Sequence, residues 1–268
     1  MHNIDVVVVN YNAGDVLQQC LSKLVKGIDS GINVVVVDNH STDDSLVRLK
    51  KQSFAKQLKL IENLQNSGFA KGCNQGAAAG EGEFLAFINP DCFISHEQLQ
   101  SMVAELSRNQ QAAMIGCRVL NTDGTLQAAS RRRLPTFWRI LFQLTRLSHI
   151  PGVKGVTINS PAAVDGVLQV EAVNGACMVV RRRSFDAIDG FDESFPLHFE
   201  DLDLFARLKA VGHDIIYIDS VAVTHLKGHS SKNTREVSQW KRQGLLRYLK
   251  KHRPRWEYQV TKWLLGAK

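Results

Sequence analysis

The hydrophobic pattern opens with a β-branched run, Val6-Val7-Val8-Val9, that stops at the polar triplet Asn10-Tyr11-Asn12. Gly14-Asp15 then leads into Val16, Leu17, Cys20, Leu21 and Leu24, which share one face at helical spacing. A second strand is predicted over Ile32–Val37, ending on Asp38-Asn39, with Ser41 or Thr42 placed to cap a helix that carries Leu46, Val47 and Leu49. Leu58–Ile61 predicts a third strand, and residues 67–80 predict a helix. Phe84-Leu85-Ala86-Phe87-Ile88 is apolar throughout, as in a strand covered on both faces. Pro90 lacks a backbone donor, so that strand must stop there and leave Asp91 at its carboxyl end.

Helical spacing resumes over 97–108, followed by a short strand near Met114–Val119. Residues 123–170 are weakly periodic and predict a long excursion that shapes a site, with the basic triplet Arg131–Arg133 and the pair Phe137-Trp138. Order returns with Cys177–Val180, a helix through Leu202, Leu204, Phe205 and Leu208 that ends at Gly212, and a strand over Ile215–Ile218. A further apolar run, Val221-Ala222-Val223, ends at His225. This alternation predicts an α/β fold, a Rossmann-like α/β/α sandwich with a mostly parallel central sheet. Residues 1–235 would form one domain, with halves 1–120 and 121–235, and residues 236–268 a basic amphipathic tail.

Composition sharpens this picture at three points. With 44% hydrophobic residues the chain can bury a substantial core, and it contains no apolar stretch long enough to span a membrane. Met1-His2-Asn3-Ile4-Asp5 shows neither a basic region nor a cleavage site, so a cytoplasmic protein is expected. The five scattered cysteines suggest reduced structural thiols rather than a zinc site or disulfides. The net charge of +7 has an uneven source: residues 236–268 hold nine Lys/Arg against Glu236 and Glu257, and the rest of the chain balances. A neutral body argues against nucleic acid as the main partner.

The candidate chemistry lies at strand ends. In an open parallel sheet the carboxyl edge is where ligands bind. A carboxylate there, Asp91, suits a hard cation, and a cation there implies a phosphate to neutralise. Asp38 either accepts hydrogen bonds from a nucleoside or caps the next helix. Gly68, Gly72, Gly76 and Gly80 recur every four residues, which suits close helix–sheet packing, whereas Asn66-Ser67-Gly68-Phe69 is a polar turn whose donors could face a phosphate. Neither a GxGxxG after the first strand nor a GxxxxGK[ST] occurs, which disfavours dinucleotide and P-loop readings. Glu200, Asp201 and Asp203 crowd a helix start, partly for the helix dipole, and a pocket-facing carboxylate among them would suit a general base. His225 is either structural or a second ligand beside Asp91, and Gly228-His229-Ser230 suggests a phosphate-side loop.

Over residues 3–231 these segments, in this order, resemble glycosyltransferase family 2, the inverting GT-A enzymes. The matching pieces are Val8-Val9-Asn10-Tyr11-Asn12, Val36-Val37-Asp38-Asn39-His40-Ser41, Asn66-Ser67-Gly68-Phe69-Ala70, Asn89-Pro90-Asp91, Asn174-Gly175-Ala176, Gly190-Phe191-Asp192-Glu193, Phe199-Glu200-Asp201-Leu202-Asp203-Leu204 and Thr224-His225. The rhamnosyltransferase-like branch is the nearest in pattern. The resemblance implies a nucleotide-diphosphate sugar donor, dTDP- or UDP-linked, held by Asn10, Asn12, Asp38, Asn39, Asn66, Gly68, Phe69, Asn89, Asn174 and Gly175. It implies Mg²⁺ or Mn²⁺ on Asp91 and His225, Asp201 as catalytic base and Glu200 in support. Asn89 stands where other members carry the first Asp of the metal motif, which removes one charge from the cation's site. The acceptor would be a glycan or a lipid-linked saccharide, in cell-surface polysaccharide synthesis.

The tail mixes Trp240, Leu245, Leu246, Tyr248, Leu249, Trp256, Trp263, Leu264 and Leu265 with its bases, which suits an anionic membrane surface. The same pattern also suits aromatics packed on the domain with solvated charges. Two other functions fit parts of the chain: a sugar-1-phosphate nucleotidyltransferase and a non-catalytic sugar-nucleotide-binding module. The first would carry a basic Gly-rich loop after the first strand, absent from Asn10-Tyr11-Asn12-Ala13-Gly14, and the second would not need Glu200-Asp201.

Overall fold

The computed structural model describes residues 2–158, 166–195, 197–226 and 234–266. Its elements, in chain order, are β1 (Ile4–Asn10), α1 (Val16–Leu24), β2 (Ile32–Asp38), α2 (Ser45–Lys50), β3 (Lys59–Glu62), α3 (Phe69–Ala78), β4 (Phe84–Ile88), β5 (Cys92–Phe93), α4 (His96–Arg108) and β6 (Ala112–Leu120). There follow β7 (Arg131–Arg132), α5 (Phe137–Leu144), β8 (Val167–Val170), β9 (Ala172–Val173), β10 (Cys177–Arg181), α6 (Arg182–Asp186), α7 (Glu200–Ala210), β11 (Asp214–His225), α8 (Thr234–His252) and α9 (Arg255–Leu264).

The main sheet runs β3-β2-β1-β4-β10-β6-β11-β5, with β8 also paired to β11. β3, β2, β1 and β4 are mutually parallel, as are β6 and β11, while β10 runs antiparallel between β4 and β6. The strand order reverses beside β1, with β2 on one side and β4 on the other. That arrangement opens a crevice at the carboxyl ends of β1, β2 and β4, where open α/β sheets take ligands.

Alternation along β1 shows how the sheet is covered. Val6 and Val8 face a core shared with Leu17 and Leu21 of α1 and with Leu99 and Met102 of α4. Val7 and Val9 face the opposite core, shared with Ala70, Cys73 and Ala77 of α3, Phe205 and Leu208 of α7, and Tyr248 and Leu249 of α8. Both faces being buried, β4 and the Val6–Val9 stretch of β1 read as unbroken apolar runs. All five cysteines are buried thiols within this core, and burial pushes Cys20 up to about 12.

The structure corrects three sequence-based expectations. The α2 helix starts later than Ser41 or Thr42, with Asp44 at its N-cap and no side-chain cap bond. Ser41 instead accepts from the Asn12 amide and donates to Asp38, because the two strand-end loops compete for its hydroxyl. The strand near Met114 is longer than expected, nine residues, and β11 continues for twelve through an irregularity between Ile218 and Ala222. The excursion over 123–170 carries its own elements, β7, α5 and β8.

The glycine stripe is a packing device. A Cβ on Gly72 would stand 2.9 Å from Val9 Cγ1, and one on Gly76 2.3 Å from Val7 Cγ1, so α3 lies directly on β1. Val7 cannot yield easily, being β-branched in a central strand. Gly76→Ala should therefore destabilise the fold by about 1–3 kcal/mol despite alanine's better helix propensity. The urea midpoint measures this; an unchanged midpoint would show that α3 can lift off the sheet without loss.

Candidate active site

At the ends of β1 and β2 the polar residues are bonded to one another. Asn10, fully buried, brings its Nδ2 within 2.6 Å of Asp38 Oδ1, 3.0 Å of Ser41 Oγ and 2.9 Å of Ser45 Oγ. Asp38 also accepts from the Ser41 amide and hydroxyl, at 3.0 and 2.7 Å. An ionised carboxylate has about four acceptor positions, so one remains for a ligand donor. Asn12, at φ 54°, accepts from the amides of Thr42 and Asp43 and ties the first loop to the second. Asn39 donates to the Gly68 carbonyl at 2.9 Å and accepts from Asn63 and Ser67. Asn66 accepts from the Gly68 amide at 3.0 Å, and Gly68 holds φ 88°, a left-handed conformation that favours glycine. Phe69 begins α3 with its ring edge against Phe191. Six of the predicted donor-side residues (Asn10, Asn12, Asp38, Asn39, Asn66 and Gly68) thus line one edge, in two bonded sets joined by the adjacent Asp38 and Asn39.

A second group lies at the ends of β4, β10 and β11. The strand turns at Pro90, as its missing donor requires, and the Asn89 amide donates to the Ala176 carbonyl at 2.9 Å. Asp91, 3% exposed, faces His225 with Oδ1 3.2 Å from Nε2. His225 terminates β11, and its Nδ1 lies 3.2 Å from Gln127 Oε1, while Gln127 Nε2 donates to the His225 carbonyl at 2.8 Å. The Gln127 amide oxygen thus faces Nδ1, and the other ring nitrogen, Nε2, faces the carboxylate. Two donor atoms at right angles on an octahedral cation stand about 3 Å apart, close to the spacing seen, so the pair fits a divalent cation. Among the described residues no third His, Cys, Asp or Glu joins them.

A third group is carried by the start of α7. Phe199 caps this helix in a left-handed conformation, φ 72°, and His198 before it has φ 66°. Asp201 accepts from the Leu202 amide at 2.7 Å and from Arg132, whose guanidinium also holds the Val173 carbonyl. Asn174 accepts from the Ala176 amide and shapes the turn before β10. Gly175 in that turn lies against the base candidate: a Cβ there would meet Asp201 Oδ2 at 2.7 Å. Desolvation, and then Lys241, lower the His198 pKa to about 4, so its ring is neutral beside this pair.

Glu200 differs from its neighbour. It is 7% exposed and its Oε2 lacks a hydrogen-bond partner among the described residues. Burial, reinforced by the charge of Asp201, pushes its carboxyl up to about 8. The folded state therefore holds this proton more tightly than the unfolded chain. The stability it contributes is complete below the ordinary carboxylate value of 4.5 and is lost as pH rises to about 8. Glu200→Gln should abolish that slope, which is about 1.4 kcal/mol per pH unit at most. The variant should gain several degrees in Tm over the parent at pH 9 and nothing at pH 5; parallel curves would contradict the assignment.

Sequence reasoning missed two of these residues. Arg132 was visible only as part of a basic triplet, and Gln127 carried no signal at all. The expected loop Gly228-His229-Ser230 lies outside the described residues.

The profile of the family described as Glycosyl transferase family 2 matches residues 5–164. The chain belongs to glycosyl transferase family 2. It is a glycosyltransferase, and its relatives agree. The N-acetylglucosaminyl-diphospho-decaprenol L-rhamnosyltransferase of Mycobacterium tuberculosis is 26% identical over 240 residues, which cover 85% of this chain and 77% of that protein. Rhamnosyltransferase WbbL of Escherichia coli is 21% identical over 258 residues, 92% of this chain and 93% of that one. Among solved structures, the mannosyltransferase PcManGT from Pyrobaculum calidifontis, in complex with GDP-Man and Mn²⁺, superposes with a TM-score of 0.62. That likeness, at 17% identity over 93% of this chain and 64% of that one, shows the GT-A fold.

Proposed function

We propose that this family 2 glycosyltransferase moves rhamnose, or a related hexose, with inversion. The donor would be a dTDP- or UDP-sugar and the acceptor a hydroxyl of a lipid-linked saccharide in cell-surface polysaccharide synthesis, on the cytoplasmic side. The observation that supports this reading is the turn Gly175-Ala176, which lies against Asp201 at Gly175 and accepts from the amide of Asn89, two residues before Asp91, at Ala176. The two rhamnosyltransferase relatives support the sugar, and the lipid-linked acceptor follows the name of the mycobacterial one.

In this reading Asn10, Asn12, Asp38 and Asn39 hold the nucleoside end, and the turn Asn66-Ser67-Gly68-Phe69 lies on the phosphate side. Asp91 and His225 would hold Mg²⁺ or Mn²⁺, which supplies positive charge to the leaving diphosphate. Asn89 contributes no charge, so Asp91 is the pair's only anion. Asp201 takes the proton of the acceptor hydroxyl as that oxygen attacks C1 opposite the leaving group, which inverts the centre. Arg132 keeps the carboxylate oriented before the acceptor arrives. Glu200, raised by burial, holds its proton more tightly than an ordinary carboxyl group does.

The test is turnover of dTDP-rhamnose, UDP-GlcNAc and GDP-mannose with Mn²⁺ and a lipid-diphosphate-linked GlcNAc, read as released nucleotide and as product mass. Nucleoside diphosphate with a glycosylated acceptor is the expected result. Nucleoside triphosphate and sugar 1-phosphate, formed only when pyrophosphate is added, would indicate a nucleotidyltransferase, and tight donor binding without any product would indicate a binding module.

A further inference from the structure

The basic tail divides into two helices with opposite fates. Helix α8 turns inward: Tyr248 and Leu249 are fully buried, and Gly244 lets the helix approach the His198 carbonyl and the Phe199 ring. Asp203 of α7, wholly buried, accepts from His252 at 2.7 Å and Lys251 at 2.8 Å, which anchors α8 to the helix that carries Asp201. Tyr248, Leu249, Lys251 and His252 are therefore engaged with the domain.

Helix α9 turns outward. Trp256, Val260 and Trp263, at i, i+4 and i+7, are 48%, 37% and 77% exposed, and Leu264 is 54% exposed. The adjacent side of α9 is buried through Glu257 and Thr261, and Glu257 accepts from the Phe137 amide at 2.9 Å. This bond joins α9 to α5, an amphipathic helix of which no residue is buried. The rings of Trp256, Phe137, Trp138 and Phe142 follow one another at centroid spacings of 5.6, 5.1 and 6.1 Å. Trp138 is 54% exposed, and Leu144, Leu147 and Ile150 extend the apolar surface beyond α5.

Charge accompanies this surface with one sign. Residues 124–158 contain no Asp or Glu, and Arg146 and Lys154 are exposed there. On α9 Arg255 is exposed, and the helix's single acid, Glu257, is buried and paired with Arg253. Exposed tryptophans and leucines among bases that have no ion pair among the described residues suit the boundary of an anionic lipid leaflet. A second copy of the chain suits it poorly, because a two-fold contact would set the same bases against each other.

We infer that the joint outer face of α5 and α9 docks on an anionic membrane surface. The face is near the chemistry: Arg132, which holds Asp201, precedes Phe137 by five residues, at most about 18 Å of chain. A lipid-linked acceptor would then be presented to Asp201 from the surface on which the enzyme sits. Docking itself does not depend on which sugar is moved, so it can be tested without turnover.

The experiment is co-sedimentation of the full chain with vesicles containing phosphatidylglycerol or only phosphatidylcholine, at low and high salt. It is repeated with the double variant Trp138→Ser/Trp263→Ser. Binding to the anionic vesicles alone, weakened by salt and about tenfold or more by the double substitution, is expected, with an unchanged Tm and unchanged nucleotide release on a short soluble acceptor. Parent protein left in the supernatant, or equal binding by the variant, would overturn the inference. So would self-association that the double variant abolishes without any vesicle binding, which would assign the face to a second copy.

Discussion

Asp201→Asn should lower kcat by roughly 10²–10⁴-fold, the range for removing a general base, while donor affinity stays within about twofold. The amide has nearly the shape of the carboxylate and can still accept from the Leu202 amide through its oxygen. What it loses is the ability to take a proton and the charge opposite Arg132. Gly175 leaves no space for a water or a bulkier group on that side of the carboxylate, so rescue by rearrangement is not expected. Single-turnover rates, donor titration and Tm of the same preparation separate the effects. Turnover near that of the parent would remove Asp201 from the role, and a large fall in Tm would assign the loss to an uncompensated Arg132.

Asp91→Ala is expected to abolish the metal dependence of donor binding. Nucleotide affinity in Mn²⁺ should fall by more than about 100-fold, to the value measured without metal, because Asp91 is the pair's only anion and His225 alone is a weak site for hard cations. Gln127→Leu is the informative companion. It leaves both ligand atoms in the chain but removes the acceptor at His225 Nδ1 and the donor to the His225 carbonyl. Loss of such an outer partner costs about 10–100-fold in metal affinity. Calorimetric titration with Mn²⁺ in the presence of nucleoside diphosphate reads both variants without turnover. A metal effect unchanged in Asp91→Ala would refute the site, and parent-like Mn²⁺ affinity in Gln127→Leu would reduce Gln127 to a packing role.

How much of this could be read in advance differs by residue. Asp91 was legible because Pro90 stops a fully apolar strand, and both signals are local. The strand-end positions of Asn10 and Asp38 were legible for the same reason, but not the bonds that join them: Ser41 resembles a helix cap in sequence and serves as a bridge between loops in space. Asp203 with Arg207 could be read as an i,i+4 pair, whereas its bonds to His252 and Lys251 come from nearly fifty residues away. Asp5 looked like one more residue before a strand. It is fully buried, held by Arg182 at 2.6 Å and by the Gly82 amide, a pairing across 177 residues.

By itself, the sequence determined the periodic content of this protein: which runs are strands covered on both faces, which are helices, and which polar residues end them. Those features follow from side-chain alternation and from backbone chemistry within a few residues. Only the tertiary structure decided which polar ends meet. Arg132 reaches Asp201 across 69 residues and Gln127 reaches His225 across 98, and both come from an aperiodic excursion whose path no local rule sets. It also decided the tail, where one basic, aromatic composition yields an α8 that buries Tyr248 and Leu249 and an α9 that exposes Trp256 and Trp263. Composition states how much apolar surface a helix carries; whether protein covers it depends on what the rest of the chain leaves open.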